Sequence, residues 1–518
     1  MVLSRSLLRF GTLTNKLALF TMIQDLNIIF TGLENNFKRN RMDTILRNSL
    51  LSVFLLLTLF TGMPSFASDN FKGAVCLIRS DSHLVMVKEV LTDKWSLPAG
   101  TIEAGEPPQQ AAQREVWEET GLVVSVGKEL WRGESAIFFD CVSDSDLIAF
   151  AQQDKDGGYE LPIWFAPDYG IEVARAHLID AKTVLAEDYR YPDQWQSIVD
   201  GYLGATSQKV SFVESLAQAA PRFNQIELPW IAKLQSYLLY SNDPLVDMMS
   251  SLVLVGLWFT SPWWLLLLPL CYAQFGRDFT LKLMFTLAFG ALVVQMGKLG
   301  FQLPRPFVYQ PNLNLAELIG YGLPSLSLTL WTIAIAMISS QLDLRGWNRF
   351  YTCSVIGLLW LVVALFYSAS TFLVDCIIGV LFGWLCAWHM SRLETTIGPQ
   401  SNELFISKGV WIVLLFASSA IAFIWQTPAL LGLALVVFAT LICVLVLKLP
   451  KSISAKSAVL LSGCLAAITF GFAYLHSLVN SSNFDSLLVY VSLLPVLVIV
   501  SFVFIKITGV KITGEKKT

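Results

Sequence analysis

The chain has 518 residues and a net charge of −3 at pH 7, enough length for more than one domain. Apolar residues make up 54% and charged residues only 14%, against a charged share of roughly a quarter in soluble domains. The deficit is uneven: residues 70–205 hold most of the Asp and Glu, and residues 245–510 are nearly continuous apolar runs. A wholly water-soluble protein is therefore excluded, and no basic stripe supports nucleic-acid binding.

Residues 1–41 show no clear pattern. From Met42 a short segment with Arg47 leads into LLSVFLLLTLF, and Ser65-Phe66-Ala67 puts small residues at both positions a signal peptidase reads. This is the layout of a secretory signal peptide, with translation starting at Met42 and cleavage after Ala67. An uncleaved anchor helix is the alternative, and either one exports the domain behind it. The expected division is residues 1–67 as extension plus signal peptide, 70–205 soluble, 206–245 a connector, 246–392 and 405–506 membrane helices, and 507–518 a cytoplasmic tail.

In the soluble part, residues 71–78 and 84–90 read as short strands rich in Val and Ile. Trp95 to Gly100 reads as a turn. Pro107 and Pro108 then open a helix that runs to about Thr120 and stops at Gly121. Glu115, Glu118 and Glu119 stand at i, i+3 and i+4, so their carboxylates project from one face. Three adjacent like charges repel, a divalent cation removes that cost, and hard oxygen ligands suit Mg²⁺ or Mn²⁺. Arg114 sits beside them and can hold an acidic partner. A solvated acidic face is the plainer reading of the same spacing. Eight cysteines include no C-x-x-C pair. Cys76 and Cys141 fall in the soluble part, either paired in an oxidising compartment or as two unpaired strand residues. The other six lie in apolar segments, where Cys acts as a small hydrophobe.

The stretch Gly100-TIEAG-Glu106-PPQQAAQ-Arg114-Glu115-Val116-Trp117-Glu118-Glu119-Thr120-Gly121-Leu122 resembles the Nudix box, G-x5-E-x7-R-E-U-x-E-E-x-G-U, at every fixed position. The resemblance implies an α/β/α Nudix sandwich with a mixed sheet. It also implies a hydrolase for a nucleoside diphosphate linked to another group, or a similar diphosphate. By carry-over Glu115, Glu118 and Glu119 hold Mg²⁺ or Mn²⁺, Glu106 assists, the Gly100 carbonyl completes the metal shell, and Arg114 orients the acidic cluster. Which glutamate is the base stays open. Specificity in this family comes from outside the box, here from residues 131–195. Within that region Asp168, Glu172 and Arg175 read as surface charges. His83 and His177 read as structural.

Residues 206–245 read as an amphipathic connector with apolar residues at helical spacing around Phe212, Leu216, Ile226 and Trp230. About nine spans come after it, near 250–275, 283–300, 324–341, 352–368, 371–390, 407–426, 428–447, 457–477 and 485–505. The first contains Pro262 and has a hairpin of two short helices as its alternative. With the N-terminus outside, Arg277, Lys282, Arg345, Arg349, Arg392, Lys448, Lys451, Lys456, Lys511, Lys516 and Lys517 are cytoplasmic, and the outer loops near 369, 427 and 480 carry no Lys or Arg. The loop at 298–323 breaks this rule with Lys298 and Arg305, which marks them as functional candidates.

Lys298-LGFQLP-Arg305-Pro306 resembles the first motif, K-x6-R-P, of the type-2 phosphatidic-acid phosphatase superfamily. The resemblance covers roughly residues 235–392 and implies that Lys298, Arg305 and Ser325 bind a phosphate. The family's second motif, P-S-G-H, is here Pro324-Ser325-Leu326-Ser327. Aligning the third on Asp375 puts Ala364-Leu365 in place of Ser-Arg and Thr371 in place of the nucleophilic histidine. His389 and His476, the membrane part's only histidines, lie elsewhere, so a non-catalytic relative is expected. Taken together, the sequence reads as a Nudix diphosphatase held at the periplasmic face of a bacterial inner membrane, acting on a nucleotide-linked or envelope-linked diphosphate. The alternatives are a bifunctional hydrolase that also dephosphorylates lipids, and a lipid-sensing module that gates the Nudix site.

Overall fold

The structure is a computed structural model that describes residues 72–515 apart from Asp156, 240–242, 261–266, Arg345, 399–403, Ile406 and Ser481. The expected start at Met42, the signal peptide with its cleavage after Ala67, and the charges of Arg345, Lys516 and Lys517 lie outside the described residues.

Eleven strands occur among the described residues: β1 (Gly73–Leu77), β2 (Arg79–Ser80), β3 (His83–Glu89), β4 (Trp95–Ser96), β5 (Ala99–Thr101), β6 (Val124–Arg132), β7 (Ala136–Ser143), β8 (Leu147–Phe150), β9 (Tyr159–Leu161), β10 (Val173–Asp180) and β11 (Val210–Val213). One sheet has the order β5-β1-β7-β6 and is mixed, because β1 runs parallel to β7 and antiparallel to β5. The other has the order β2-β3-β10-β9, with β4 on β3.

The central strands are buried on both faces, and their alternation sorts them into two cores. Ala74, Cys76, Val85, Val87, Ile137 and Phe139 face α1 (Pro108–Thr120), which contributes Ala111, Ala112 and Val116. Val75, Leu77, Leu84, Met86 and Phe138 face the opposite way, toward Trp195 and Ile198 of α2 (Pro192–Gly201). This is the expected α/β/α arrangement. Cys76 and Cys141, both fully buried, form a disulfide between β1 and β7 with Cα atoms 5.6 Å apart, which settles the alternative left open by the sequence.

The connector differs from expectation. Phe212 lies in β11, which pairs in parallel with β8, because a strand partner more than sixty residues away overrides the local helical spacing. Helix begins only at Arg222–Gln225 and continues as α3 (Glu227–Leu239), with Ile226 and Trp230 exposed.

The helical part comprises α4 (Pro244–Val255), α5 (Leu268–Phe301), α6 (Leu326–Gln341), α7 (Arg349–Tyr367), α8 (Leu373–Ile397), α9 (Lys408–Trp425), α10 (Pro428–Val446), α11 (Ala455–Val479) and α12 (Asn483–Glu515). Among the described residues, seven helices are long and apolar enough to cross a membrane, by length and composition: α5 and α7 to α12. The apolar stretches Pro244–Thr260 and Leu326–Gln341 are shorter. The run expected near 250–275 is divided, with α4 and a 3-10 turn over Gly256–Thr260 before α5 starts at Leu268.

Basic residues gather at one end of this bundle. Lys282 pairs with Glu394, and Arg277 donates its backbone N–H to Lys451 O (2.9 Å) and Nη1 to Leu449 O (3.3 Å). The α/β part sits at the opposite end, and there the two parts share one core. Phe307, Val308, Tyr309, Leu313, Tyr321, Phe366 and Phe372 of the helical part pack into the same cluster as the α1 face of the sheets. Each large side chain buried there stabilises the junction by about 1.5–3 kcal/mol. Leu216 N–H donates to Tyr309 O (2.9 Å), the Tyr321 hydroxyl donates to Trp164 O (3.3 Å), and Lys155 pairs with Glu317.

Candidate active site

Helix α1 starts with Pro108 at its first position and ends on Gly121, whose backbone is left-handed (φ 72°) and whose N–H returns to Trp117 O. With Ala111, Ala112 and Val116 turned into the core, Glu115 and Glu119 fall at the edge of the buried stripe, each 8% exposed. Glu118 falls on the more open side, one turn from Arg114.

Arg114 organises this face. Its Nε and Nη2 grip Glu106 in a fork (3.0 and 3.2 Å), Nη1 reaches both Glu115 (2.7 Å) and Glu118 (2.8 Å), and Nη2 also donates to Thr101 O (3.1 Å). One planar guanidinium thus ties three carboxylates to the edge strand β5. Gly100 lies under this cluster: a Cβ placed there would stand 1.9 Å from the Glu115 carboxyl carbon, so the carboxylate rests directly on bare backbone. Glu119 turns away from Arg114 and accepts from Ala99 N (3.2 Å).

Burial and neighbouring charge act on these groups in opposite directions. The Arg114 hydrogen bond holds the Glu106 carboxyl below its ordinary range. Burial pushes Glu115 up to about 7, against the pull of Arg114. Glu119 is driven well up, first by burial and then by Glu115, Glu172 and Glu89. Asp168 is raised to about 7 by burial, with Glu172 and Glu118 adding to it.

The acidic site is therefore wider than the helix. Asp168 joins it through its backbone N–H to Glu118 O (2.9 Å). Glu172 joins through the field it shares with Glu89 and Glu118. Both read in the sequence as surface charges: Glu172 is solvent-exposed, and Asp168 is half-buried with only its backbone bonded to α1. Arg175 lies instead in the field of Glu160 and Glu317. Glu89, which the sequence does not single out, is held at the end of β3 by Thr92 Oγ1 (2.7 Å) and Arg190 Nη1 (2.7 Å). His177 pairs with Asp154 in the core (2.7 Å).

Among the described residues no three His, Cys, Asp or Glu side chains already converge as a metal-ligand group, since Arg114 draws Glu106, Glu115 and Glu118 to itself. The donor set nonetheless fits a divalent cation. It consists of hard carboxylate oxygens, and two of the carboxylates are buried where ionisation is costly unless positive charge is brought in.

The phosphate-binding residues expected in the helical part also come together. Lys298 Nζ donates to Tyr321 O (2.9 Å), and Arg305 donates to Ser370 O (2.6 Å) and Gly320 O (3.1 Å). Ser325 N–H donates to Asp375 O (3.1 Å), and Thr371 Oγ1 contacts Cys376 Sγ (3.2 Å). The two cations direct these donors to backbone carbonyls of the loop before α6 (Gly320 and Tyr321) and of the loop before α8 (Ser370).

Comparison with known proteins agrees with the box. Residues 70–197 match the NUDIX domain family. A MutT-like protein of Streptomyces ambofaciens is 36% identical over 84 residues, 15% of this chain and 53% of that protein. Phosphatase NudJ of Escherichia coli is 41% identical over 49 residues, 9% of this chain and 32% of that protein. The chain thus spans about half or less of the length of these curated relatives. A solved NUDIX hydrolase from Nitrosomonas europaea is similar at 23% identity, covering 26% of this chain and 90% of that one, with a TM-score of 0.20. Residues 70–197 of this chain are a NUDIX domain, joined to a helical part that contains seven apolar helices of membrane-crossing length.

Proposed function

We propose that this chain is a membrane-anchored diphosphatase in which the NUDIX domain hydrolyses a nucleoside-diphosphate-linked or lipid-linked diphosphate with Mg²⁺ or Mn²⁺. The observation that carries this reading is the convergence of Glu106, Glu115 and Glu118 on Arg114 over the bare backbone of Gly100. A bridging diphosphate resists hydrolysis because its anionic oxygens repel a nucleophile; Glu115, Glu118 and Glu119 would hold a divalent cation, which would supply the missing positive charge. The chain's own residues prepare the site: Arg114 fixes Glu106, Glu115 and Glu118, and the Gly100 carbonyl would complete the shell. Water adds to one phosphorus, the bond from that phosphorus to the bridging oxygen breaks, and two phosphate monoesters leave. The water proton passes to a carboxylate of the site or to solvent.

The seven apolar helices serve as the anchor, with the basic end of the bundle in the cytoplasm and the NUDIX domain outside. The Cys76–Cys141 disulfide supports an oxidising compartment. We assign the helical part no phosphatase step, because Thr371 stands where a nucleophile is required. Lys298, Arg305 and Ser325 would act as ligands of a lipid phosphate at most.

Two measurements test the reading on the full chain in detergent. Calorimetry should show Mg²⁺ or Mn²⁺ uptake. Glu118→Gln, at a partly open position, should lower metal-dependent diphosphate hydrolysis by about 10²-fold or more while the far-UV spectrum is kept. Absence of metal uptake, or full turnover in that variant, would refute it.

A further inference from the structure

The acidic site is not built by the NUDIX domain alone. Glu89, one of the carboxylates whose field reaches Glu119, has a partner from the far end of the chain. Asn483, the first residue of α12, lies against both Glu89 and Arg190. With its amide oriented as the surrounding donors and acceptors require, it donates to Glu89 Oε2 (2.9 Å) and accepts from Arg190 Nη2 (3.0 Å) and Nη1 (3.2 Å). Arg190 in turn lies over the Tyr191 ring, 4.9 Å from its centroid.

The other flank of α1 ends on the helical part as well. Asp168 is bonded to Glu118 O, and the same turn carries Trp164, whose carbonyl accepts from Tyr321. Tyr169 packs edge-on against Tyr321, with centroids 5.5 Å apart. At Gly170 the two backbones meet so closely that a Cβ would stand 2.8 Å from Gly320 Cα. The acidic helix is therefore held in the seam between the two parts, at the end where α11 turns into α12. Three aromatic side chains near this seam remain solvent-accessible in the structure: Phe165 (52%), Tyr191 (43%) and Phe484 (50%). In the membrane-anchored reading above, an acidic, metal-suited site that shares a hydrogen-bonded contact with the first turn of an apolar helix would stand at the boundary of water and bilayer, where a substrate with one polar and one apolar end is best accommodated.

We propose that the site takes a diphosphate carrying a long apolar chain, with the chain passing Phe484 along the first turns of α12 into the bilayer, and that Asn483 is the positioning residue that sets Glu89 and Arg190 against that helix. This inference rests on the diphosphatase reading above and deepens it. The chemistry is the same hydrolysis: water adds at one phosphorus, the bridging oxygen leaves with the other, and the proton goes to a site carboxylate or solvent. The products are a chain-bearing monoester retained in the bilayer and, released to water, a second monoester where both phosphorus atoms are substituted or inorganic phosphate where the diphosphate is terminal.

The test uses the full chain in dodecyl maltoside micelles with two matched pairs of probes. CDP-dioleoylglycerol is set against CDP-glycerol, and farnesyl diphosphate against isopentenyl diphosphate, so that each pair differs in its apolar chain. The expected result is a kcat/KM roughly tenfold higher for the long-chain member of at least one pair. Asn483→Ala should shrink that preference by about fivefold, and Asn483→Gln should restore part of it. A merely structural role would lower both members of a pair together and leave their ratio in place. Equal kcat/KM within both pairs, or a preference that Asn483→Ala leaves untouched, overturns the inference while the diphosphatase reading stands. Turnover of none of the four probes, or turnover that survives Glu118→Gln, overturns that reading and this inference with it.

Discussion

The carboxylate of Glu115 rests on the backbone of Gly100, at a separation that leaves no room for a Cβ: the nearest atom, the Glu115 carboxyl carbon, would be 1.9 Å away. Gly100→Ala must therefore push Glu115 off its position or pull β5 away from β1, where Gly100 pairs with Ala74. Because misplacement of a catalytic group by about 1 Å can cost on the order of 10²-fold in rate, a loss of that size in kcat is expected. Steady-state kinetics of the variant beside its thermal melt checks this. Wild-type turnover would show that Glu115 does not work at the reacting centre.

Arg114 makes its contacts through a fork, and a lysine cannot reproduce it. Arg114→Lys keeps one positive charge but reaches Glu106, Glu115, Glu118 and Thr101 O from a single point. Outer partners of metal ligands typically account for about 10–100-fold in affinity or activity, so Arg114→Lys should shift the Mg²⁺ dependence of turnover upward by that order. Arg114→Ala should shift it further, since three carboxylates then face one another without a cation. A titration of activity against Mg²⁺ distinguishes the three proteins.

Much of this site is legible in the sequence alone. Pro107-Pro108 and Gly121 bound α1 within a residue, because both are local backbone effects that tertiary context rarely overrides. The box residues converge because i, i+3 and i+4 spacing is a property of the helix itself. The hidden portion depends on long-range pairing. Glu89 and Glu172 come near each other only because β3 and β10 pair in one sheet with Val173 opposite Glu89, and nothing in local composition marks that approach. Asn483 is not marked at all, since its partners are brought to it by docking two parts of the chain. Phe212 is hidden by long-range strand pairing instead: its partner strand, β8, lies more than sixty residues away in the chain. In the nearly even apolar run after residue 245, Pro262 is the one local cue that α4 and α5 are separate helices, and it leaves a single long span equally open.

The buried carboxylates give the metal-free protein a defined pH response. Glu115 has an ordinary value of 4.5 and is raised to about 7 in the folded chain, and Glu119 is raised as well. Between those values the folded state binds more protons than the unfolded one, so stability falls as pH rises through this window. Above pH 7 the full cost of ionising Glu115 is present. Melts of the protein in EDTA should therefore show the NUDIX transition moving down between pH 5 and about 7.5. Saturating Mg²⁺ should flatten or reverse that slope, because cation uptake displaces the protons. An EDTA profile that rises over the same window would contradict the burial of these groups.

The Cys76–Cys141 disulfide closes a loop with a sequence separation of 65 between two adjacent core strands. In the chain-entropy description a loop of that length contributes about 4 kcal/mol, mainly by restricting the unfolded chain. Replacing both cysteines by alanine should lower the midpoint of the NUDIX transition markedly, and dithiothreitol should reproduce the shift in the native sequence once the core opens. The helical part has its own apolar core, with residues such as Leu292, Leu430, Val437 and Leu461, so its transition should move much less. If reduction left both transitions in place, the two sulfurs would not be bonded in the protein as isolated, and the case for an oxidising compartment would lose its chemical support.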